Sequence, residues 1–133
     1  MSTRTACLDF DGVMNIYPGW KGEDELFEPQ PGLSEFLEKL SKMFDCLKIY
    51  TTRKPELVKA WLEKHGILKY IAEVTNTKPP AVVYIDDRAV TFSGDFQRTL
   101  QEVSNFKAYW ESAAEQPLAA DPKGRAEQVC CIN

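Results

Sequence analysis

Four groups of reactive side chains recur along the 133 residues: Asp9-Phe10-Asp11-Gly12, Thr51-Thr52-Arg53, Lys78, and Asp86-Asp87. Two carboxylates as close as Asp9 and Asp11 cannot both stay ionised cheaply without a cation or hydrogen-bond donors beside them. With Asp86 and Asp87 they would form an oxygen-only donor set. Such a set suits a hard divalent ion, magnesium above all when a phosphate completes the shell. Carboxylates alone would repel a phosphate. Lys78 offers a compensating point charge, Thr51 a hydroxyl, and the N–H groups after Asp9 backbone donors. Asp9 would then attack phosphorus in line while the cation and Lys78 neutralise the phosphoryl oxygens. Gly12 leaves the backbone free to bend close to a ligand.

The elements that must bring these groups together alternate. An apolar run from Thr5 to Leu8 reads as a strand ending at Asp9. Residues 13–30, rich in Gly, Pro and aromatic side chains, read as a long loop or flap, a length that is usually functional. Leu33, Phe36, Leu37, Leu40 and Phe44 keep a 3.6-residue period and predict a helix opened by Pro31-Gly32. Residues 46–50 predict a second strand with Thr51 at its carboxyl end. Pro55 suits the first turn of a second helix carrying Leu57, Val58, Trp61 and Leu62, with His65-Gly66 at its end. A weak strand at 72–75 follows. The continuous apolar run 81–85 predicts a buried strand stopping at Asp86. Phe96, Leu100, Val103, Phe106 and Trp110 predict a third helix.

Strands alternating with helices imply right-handed crossovers and an α/β fold: a three-layer, Rossmann-like parallel sheet flanked by helices. Ligands of such sheets bind beyond the carboxyl ends of the strands. Asp9 and Asp11, Thr51, and Asp86 and Asp87 all lie at such ends, and Lys78 precedes the last strand. One domain over 1–111 is expected, with a C-terminal segment, 112–133, that frays.

In that order, Asp9-Phe10-Asp11-Gly12-Val13, Thr51, Lys78 and Asp86-Asp87 resemble the four motifs of the haloacid dehalogenase (HAD) superfamily, over roughly residues 5–95. The resemblance implies a magnesium-dependent phosphohydrolase in which Asp9 forms an aspartyl-phosphate. It implies that Asp11 protonates the leaving group and then activates water, and that Thr51 and Lys78 hold the phosphoryl oxygens. Asp9, the main-chain carbonyl of Asp11, and Asp86 would ligate magnesium, with Asp87 orienting Lys78 or binding the ion through water. The stretches from Gly19 to Gly22 and from Asn76 to Arg88 look like a small group of bacterial and phage HAD-like hydrolases of unassigned substrate.

Neither the gap before the first helix nor that between Thr51 and Lys78 is long enough for an inserted lid, so no separate cap domain is expected. An open site accepts a large phosphomonoester (a nucleotide, a polynucleotide end or a small phospho-metabolite) or a second subunit lying over it. In the flap, Trp20 beside Lys21 would stack a base and meet a phosphate, or the flap rings, Tyr17 and Phe27 among them, would simply anchor it to the body. Thr52 and Arg53 are candidates to reach the rest of the substrate; a salt bridge from Arg53 to the flap acids is the alternative. Each group also has a plain structural role: Asp and Gly as turn residues, Thr51 as a helix cap, Lys78 as a solvated loop charge. Two other function classes use the same residue types. One is a phospho-acceptor signalling domain, although receivers place the acidic pair first in the chain. The other is a non-catalytic interaction protein on the same fold.

The net charge of −4, from 16 basic and 20 acidic side chains, argues against broad binding to nucleic acid or anionic membrane. Residues 1–6 are short and polar, so no secretory segment is expected, and no run approaches the ~18 apolar residues of a membrane span. Cys7, Cys46, Cys130 and Cys131 form no CxxC, and free thiols in a reducing cytoplasm are the simplest expectation. The ending Cys130-Cys131-Ile132-Asn133 outlines a prenylation box but lacks a suitable last residue and a basic stretch upstream.

Overall fold

A computed structural model describes residues 3–111. Four strands form one parallel sheet: β1 (Thr5–Asp9), β2 (Cys46–Tyr50), β3 (Glu73–Thr75) and β4 (Val83–Ile85), in the order β3-β2-β1-β4. Helix α1 (Leu33–Met43) links β1 to β2, helix α2 (Pro55–Lys64) links β2 to β3, and α3 (Phe96–Ser104) follows β4. The fold is thus the expected α/β architecture, a Rossmann-like parallel sheet with flanking helices. Between β1 and α1 there is only loop, and between Thr51 and β4 only α2, a 3₁₀ turn (Leu68–Tyr70) and β3.

Two successive crossovers in the same direction put α1 and α2 on one face of the sheet if both are right-handed. Both helices accordingly touch the 3₁₀ turn, and Leu33, Leu37 and Leu40 of α1 and Val58, Trp61 and Leu62 of α2 are buried. They close on Ala6, Leu8, Leu47, Ile49 and Val74 from the strands and Phe10 and Met14 beyond β1. Each such large apolar side chain taken fully from water stabilises the fold by about 1.5–3 kcal/mol. α1 begins where Gly32, at φ 83°, turns the chain through a left-handed conformation that a Cβ would disfavour. α2 has Pro55 in its first turn, as expected.

Two elements depart from the sequence reading. The apolar run 81–85, expected as a buried strand, forms a strand only at Val83–Ile85, and Val82, Val83 and Tyr84 are exposed. β4 is an edge strand paired to β1 alone. An apolar run shows that a strand suits cover; it does not say which side of the sheet receives it. The third helix ends at Ser104 rather than reaching Trp110, and none of its residues is buried, Phe96 being 77% exposed. Asn105 ends the helix, which frees residues 106–111 for a different course. The frayed segment expected over 112–133, with Cys130 and Cys131, lies outside the described residues. No helix among the described residues is long and apolar enough to cross a membrane.

Candidate active site

Strand register builds the site. In the parallel pairing of β1 with β2, Asp9 lies opposite Tyr50, so Thr51 stands one residue beyond it. In the pairing with β4, Leu8 lies opposite Ile85, which brings Asp86 level with Asp9. One carboxylate oxygen from each of Asp9, Asp86 and Asp87 falls within 4.8 Å of the other two. Residues 77 positions apart in the chain thus meet because two strands share a register.

The electrostatics of this trio are one-sided. Burial, then the facing Asp87 carboxylate, then the charges of Asp86 and Asp87 lift the Asp9 carboxyl from an ordinary 3.8 to about 9, against a smaller opposing pull from the Phe10 N–H. That N–H donates to Asp9 Oδ1 at 2.8 Å. Asp87 Oδ1 is buried, and among the described residues no N–H or hydroxyl donates to it, the Asp9 carboxyl being its acidic neighbour. Three convergent carboxylates, one with an oxygen that no such donor reaches, fit a hard divalent cation, which takes oxygen donors of this kind. Asp86 Oδ1 also accepts the Arg88 N–H at 2.8 Å, fixing the turn after β4.

Asp11 is not in this trio. Its Oδ2 accepts Arg53 Nε–H at 2.8 Å and its Oδ1 accepts Asn15 Nδ2–H at 3.1 Å. Asn15, fully buried, also accepts the Gly12 N–H on its Oδ1 and donates to the Leu26 carbonyl. The Asp11 carboxylate is thus turned toward Arg53 and the flap, which leaves its main-chain carbonyl as the group expected to ligate magnesium.

Arg53 lies inside the protein. Expected among substrate-binding residues, it is 0% exposed, and its guanidinium donates to the carbonyls of Gly22, Glu23 and Glu25 besides Asp11. A buried guanidinium must have its donors met, and flap carbonyls and one carboxylate meet them here. Arg53 reaches the flap, as the alternative held, but through backbone oxygens rather than acidic side chains. Thr51, also buried, accepts the Arg53 N–H on Oγ1 at 3.1 Å, and its own N–H extends the ladder to Thr75. It does not cap α2, whose N-cap is Lys54. Thr52 is exposed beside it.

Lys78 is exposed, with its ammonium 4.6 Å from the Tyr84 ring centroid, and neither a hydrogen bond nor an ion pair joins it to the acidic trio among the described residues. Tyr84 in turn donates its hydroxyl to the Pro79 carbonyl at 2.6 Å, which holds the loop carrying Lys78. In the flap the rings divide. Tyr17 is buried and packs edge-on to Phe27, and the Phe27 carbonyl accepts Trp61 Nε1–H, so both anchor the loop. Trp20 is 55% exposed with the Arg53 guanidinium 4.6 Å from its ring centroid, and Lys21 beside it is exposed. His65 ends α2 with its ring against Trp61. Burial, reinforced by Asp9, pushes the Cys7 thiol up to about 11, so it behaves as a small apolar filler.

Three residues at the site carry no sequence signal. Asn15 sits in an apolar neighbourhood where nothing marks its amide as the keystone of the Asp11 turn. Tyr109 donates to the Gly12 carbonyl and accepts from Gln30, and Trp110 donates to Asp87 Oδ2. Trp110 keeps the helical period of Phe96, Leu100, Val103 and Phe106 but lies beyond the end of α3 at Ser104.

No protein-family model matches the chain, and no curated protein does. Among solved structures, that of a conserved protein coded by a locus from Bacteroides thetaiotaomicron is similar, with a TM-score of 0.51 over 81% of this chain and 95% of its own, at 21% identity. At that identity the likeness bears on the α/β fold alone.

Proposed function

We propose that this chain is a magnesium-dependent phosphohydrolase of HAD type, acting on a phosphomonoester through a phosphorylated Asp9. The observation that carries this reading is the meeting of Asp9, Asp86 and Asp87 at the carboxyl edge of β1 and β4, where burial and its acidic neighbours raise the Asp9 carboxyl. Bound between these carboxylates, magnesium would supply positive charge that lets Asp9 ionise and that offsets the charge of a phosphoryl group. Asp9 then attacks phosphorus, and the bond from phosphorus to the ester oxygen breaks. Asp11 gives the departing oxygen its proton and later takes one from the water that cleaves the acyl-phosphate, regenerating Asp9 and releasing inorganic phosphate. For this Asp11 must turn away from Arg53. Thr51 and Lys78 serve the phosphoryl oxygens, Lys78 by swinging from its perch over Tyr84.

The test is hydrolysis of a generic aryl phosphate with and without magnesium, beside Asp9→Asn. Full activity of the Asp9→Asn protein removes the nucleophile assignment. A second reading is favoured by the engagement of Asp11 with Arg53 and Asn15. If Asp11 stays there, phosphorylated Asp9 lacks its base, and the chain acts as a phospho-acceptor domain. A hydroxylamine-sensitive acyl-phosphate that persists for minutes, with no catalytic turnover, distinguishes it.

A further inference from the structure

After α3 the chain returns to the acidic trio. Residues 108–111 close a turn in which the Ala108 N–H donates to Glu111 Oε1 at 2.7 Å and the Glu111 N–H donates to the Ala108 carbonyl at 3.0 Å, with Ala108 buried. The turn presents Tyr109 and Trp110 to three separate parts of the site. The Tyr109 hydroxyl bridges the Gly12 carbonyl and Gln30. The Trp110 ring packs edge-on to Tyr17 of the flap, centroids 4.9 Å apart, and its Nε1–H donates to Asp87 Oδ2. The Arg88 guanidinium lies 6.0 Å from the Trp110 centroid.

The two oxygens of Asp87 are therefore in different states. Oδ2 is held by the indole, while Oδ1 is buried and receives no N–H or hydroxyl among the described residues. The fit around the pair is close: a Cβ added to Gly12 would meet the Asp87 carboxylate and stand 2.9 Å from Trp110 Nε1. A carboxylate gripped on one oxygen loses rotational freedom, which leaves its other oxygen as the one available to a ligand of the trio. Groups that hold a ligand carboxylate from behind set its orientation, and losing them typically weakens metal binding about 10–100-fold.

We propose that Trp110 is a positioning residue for the cation site: its indole N–H fixes Asp87 so that Oδ1 faces the ion alongside Asp9 and Asp86. The inference rests on the phosphohydrolase reading above for the existence of that ion. The role belongs to the donor N–H, whereas the stacking on Tyr17 belongs to the ring, so the two are separable. Trp110→Phe keeps a six-membered aromatic ring to pack against Tyr17 and removes the donor N–H with the rest of the pyrrole ring.

Magnesium binding, measured by calorimetry on the full chain with magnesium chloride alone, reads the role directly. Trp110→Phe is expected to weaken binding at least tenfold while its thermal midpoint in chelator stays close to wild type. In an Asp87→Asn background the same substitution is expected to add no further loss, because it acts through Asp87. Equal affinity of Trp110→Phe and wild type, or fully additive losses, overturns the positioning role while leaving the hydrolase reading intact. Absence of magnesium binding by the wild-type chain overturns both. A second measurement needs no destabilising change: of the three tryptophan indole N–H signals in a ¹⁵N-labelled wild-type sample, that of Trp110 should shift on magnesium saturation and that of Trp61, bound to Phe27, should not. An unmoved Trp110 signal in a protein that binds magnesium overturns the proposal.

Discussion

Arg53 Nε stands 2.8 Å from Asp11 Oδ2, and the same guanidinium holds the carbonyls of Gly22, Glu23 and Glu25. One buried side chain thus ties the Asp9–Asp11 turn to the flap. The flap grips it again from outside, where Glu23 Oε2 accepts the Lys54 N–H at 2.8 Å. Arg53→Ala would leave Asp11 and three carbonyls without their donor. Breaking one side of a buried ion pair costs about 3–5 kcal/mol, and urea unfolding should show a loss of that size. Arg53→Lys keeps the charge but not the fork; limited proteolysis should then cut the flap near residues 19–25, where the wild-type chain resists.

Asp9 predicts an unusual pH response. Its folded carboxyl, raised to about 9 chiefly by burial and by Asp87, binds its proton more tightly than the unfolded carboxyl at 3.8. Between those values the native state holds more protons than the unfolded state, so stability falls as pH rises through that window. In chelator, the thermal midpoint should decline from about pH 4 toward pH 9. Asp9→Asn, which carries no charge, should flatten that slope and be more stable than wild type near pH 8 by about 1–3 kcal/mol. Magnesium should reverse the ranking, since it stabilises only the chain that binds it. A wild-type midpoint in chelator that rises steadily to pH 8 contradicts the assignment.

The sheet and the acidic trio were legible because both depend on short-range pattern. An apolar run ending in a polar residue marks a strand end, and parallel register aligns those ends without further information. That is how Asp9, Thr51 and Asp86 could be placed together. What each side chain does at the edge was not legible. Arg53 reads like a surface cation in Thr51-Thr52-Arg53, and only the flap's return past α2 gives it carbonyls to satisfy. Trp110 keeps step with Phe96, Leu100, Val103 and Phe106, so periodicity extends the helix through it. The chain instead leaves the helix at Asn105, and long-range contacts with Tyr17 and Asp87 take the ring. Contacts of that kind lie 23 residues apart for Trp110 and Asp87 and 42 apart for Asp11 and Arg53, beyond the reach of local pattern.

Gly12 tests the closeness of that packing. It lies at φ 88°, and a Cβ there would meet the Asp87 carboxylate and the Trp110 indole. Gly12→Ala adds a left-handed strain to a clash, each of about 1–3 kcal/mol. The variant should be destabilised by roughly 3 kcal/mol in urea on that basis. Its magnesium affinity should fall with the displacement of Asp87. A variant with wild-type stability would mean that Asp87 and Trp110 do not sit against this turn.

Trp20 separates anchoring from recognition in the flap. Tyr17 and Phe27 already fasten the loop to the body, and Trp20 remains half-exposed, with the Arg53 guanidinium 4.6 Å from its ring centroid. An exposed cation–π contact contributes about 0.5–1 kcal/mol, so Trp20→Ala should lower stability by no more than that. A ring free to stack a base contributes about 1–3 kcal/mol. Under the phosphohydrolase reading, Trp20→Ala should therefore raise KM for nucleoside monophosphates about tenfold while leaving kcat/KM for glycerol phosphate unchanged. Steady-state kinetics on the two substrates decides it. Equal losses on both would make Trp20 a cover for Arg53 and nothing more. Unchanged kinetics on both would take base stacking out of the flap altogether and leave the phosphate as the only part of the substrate that this site reads.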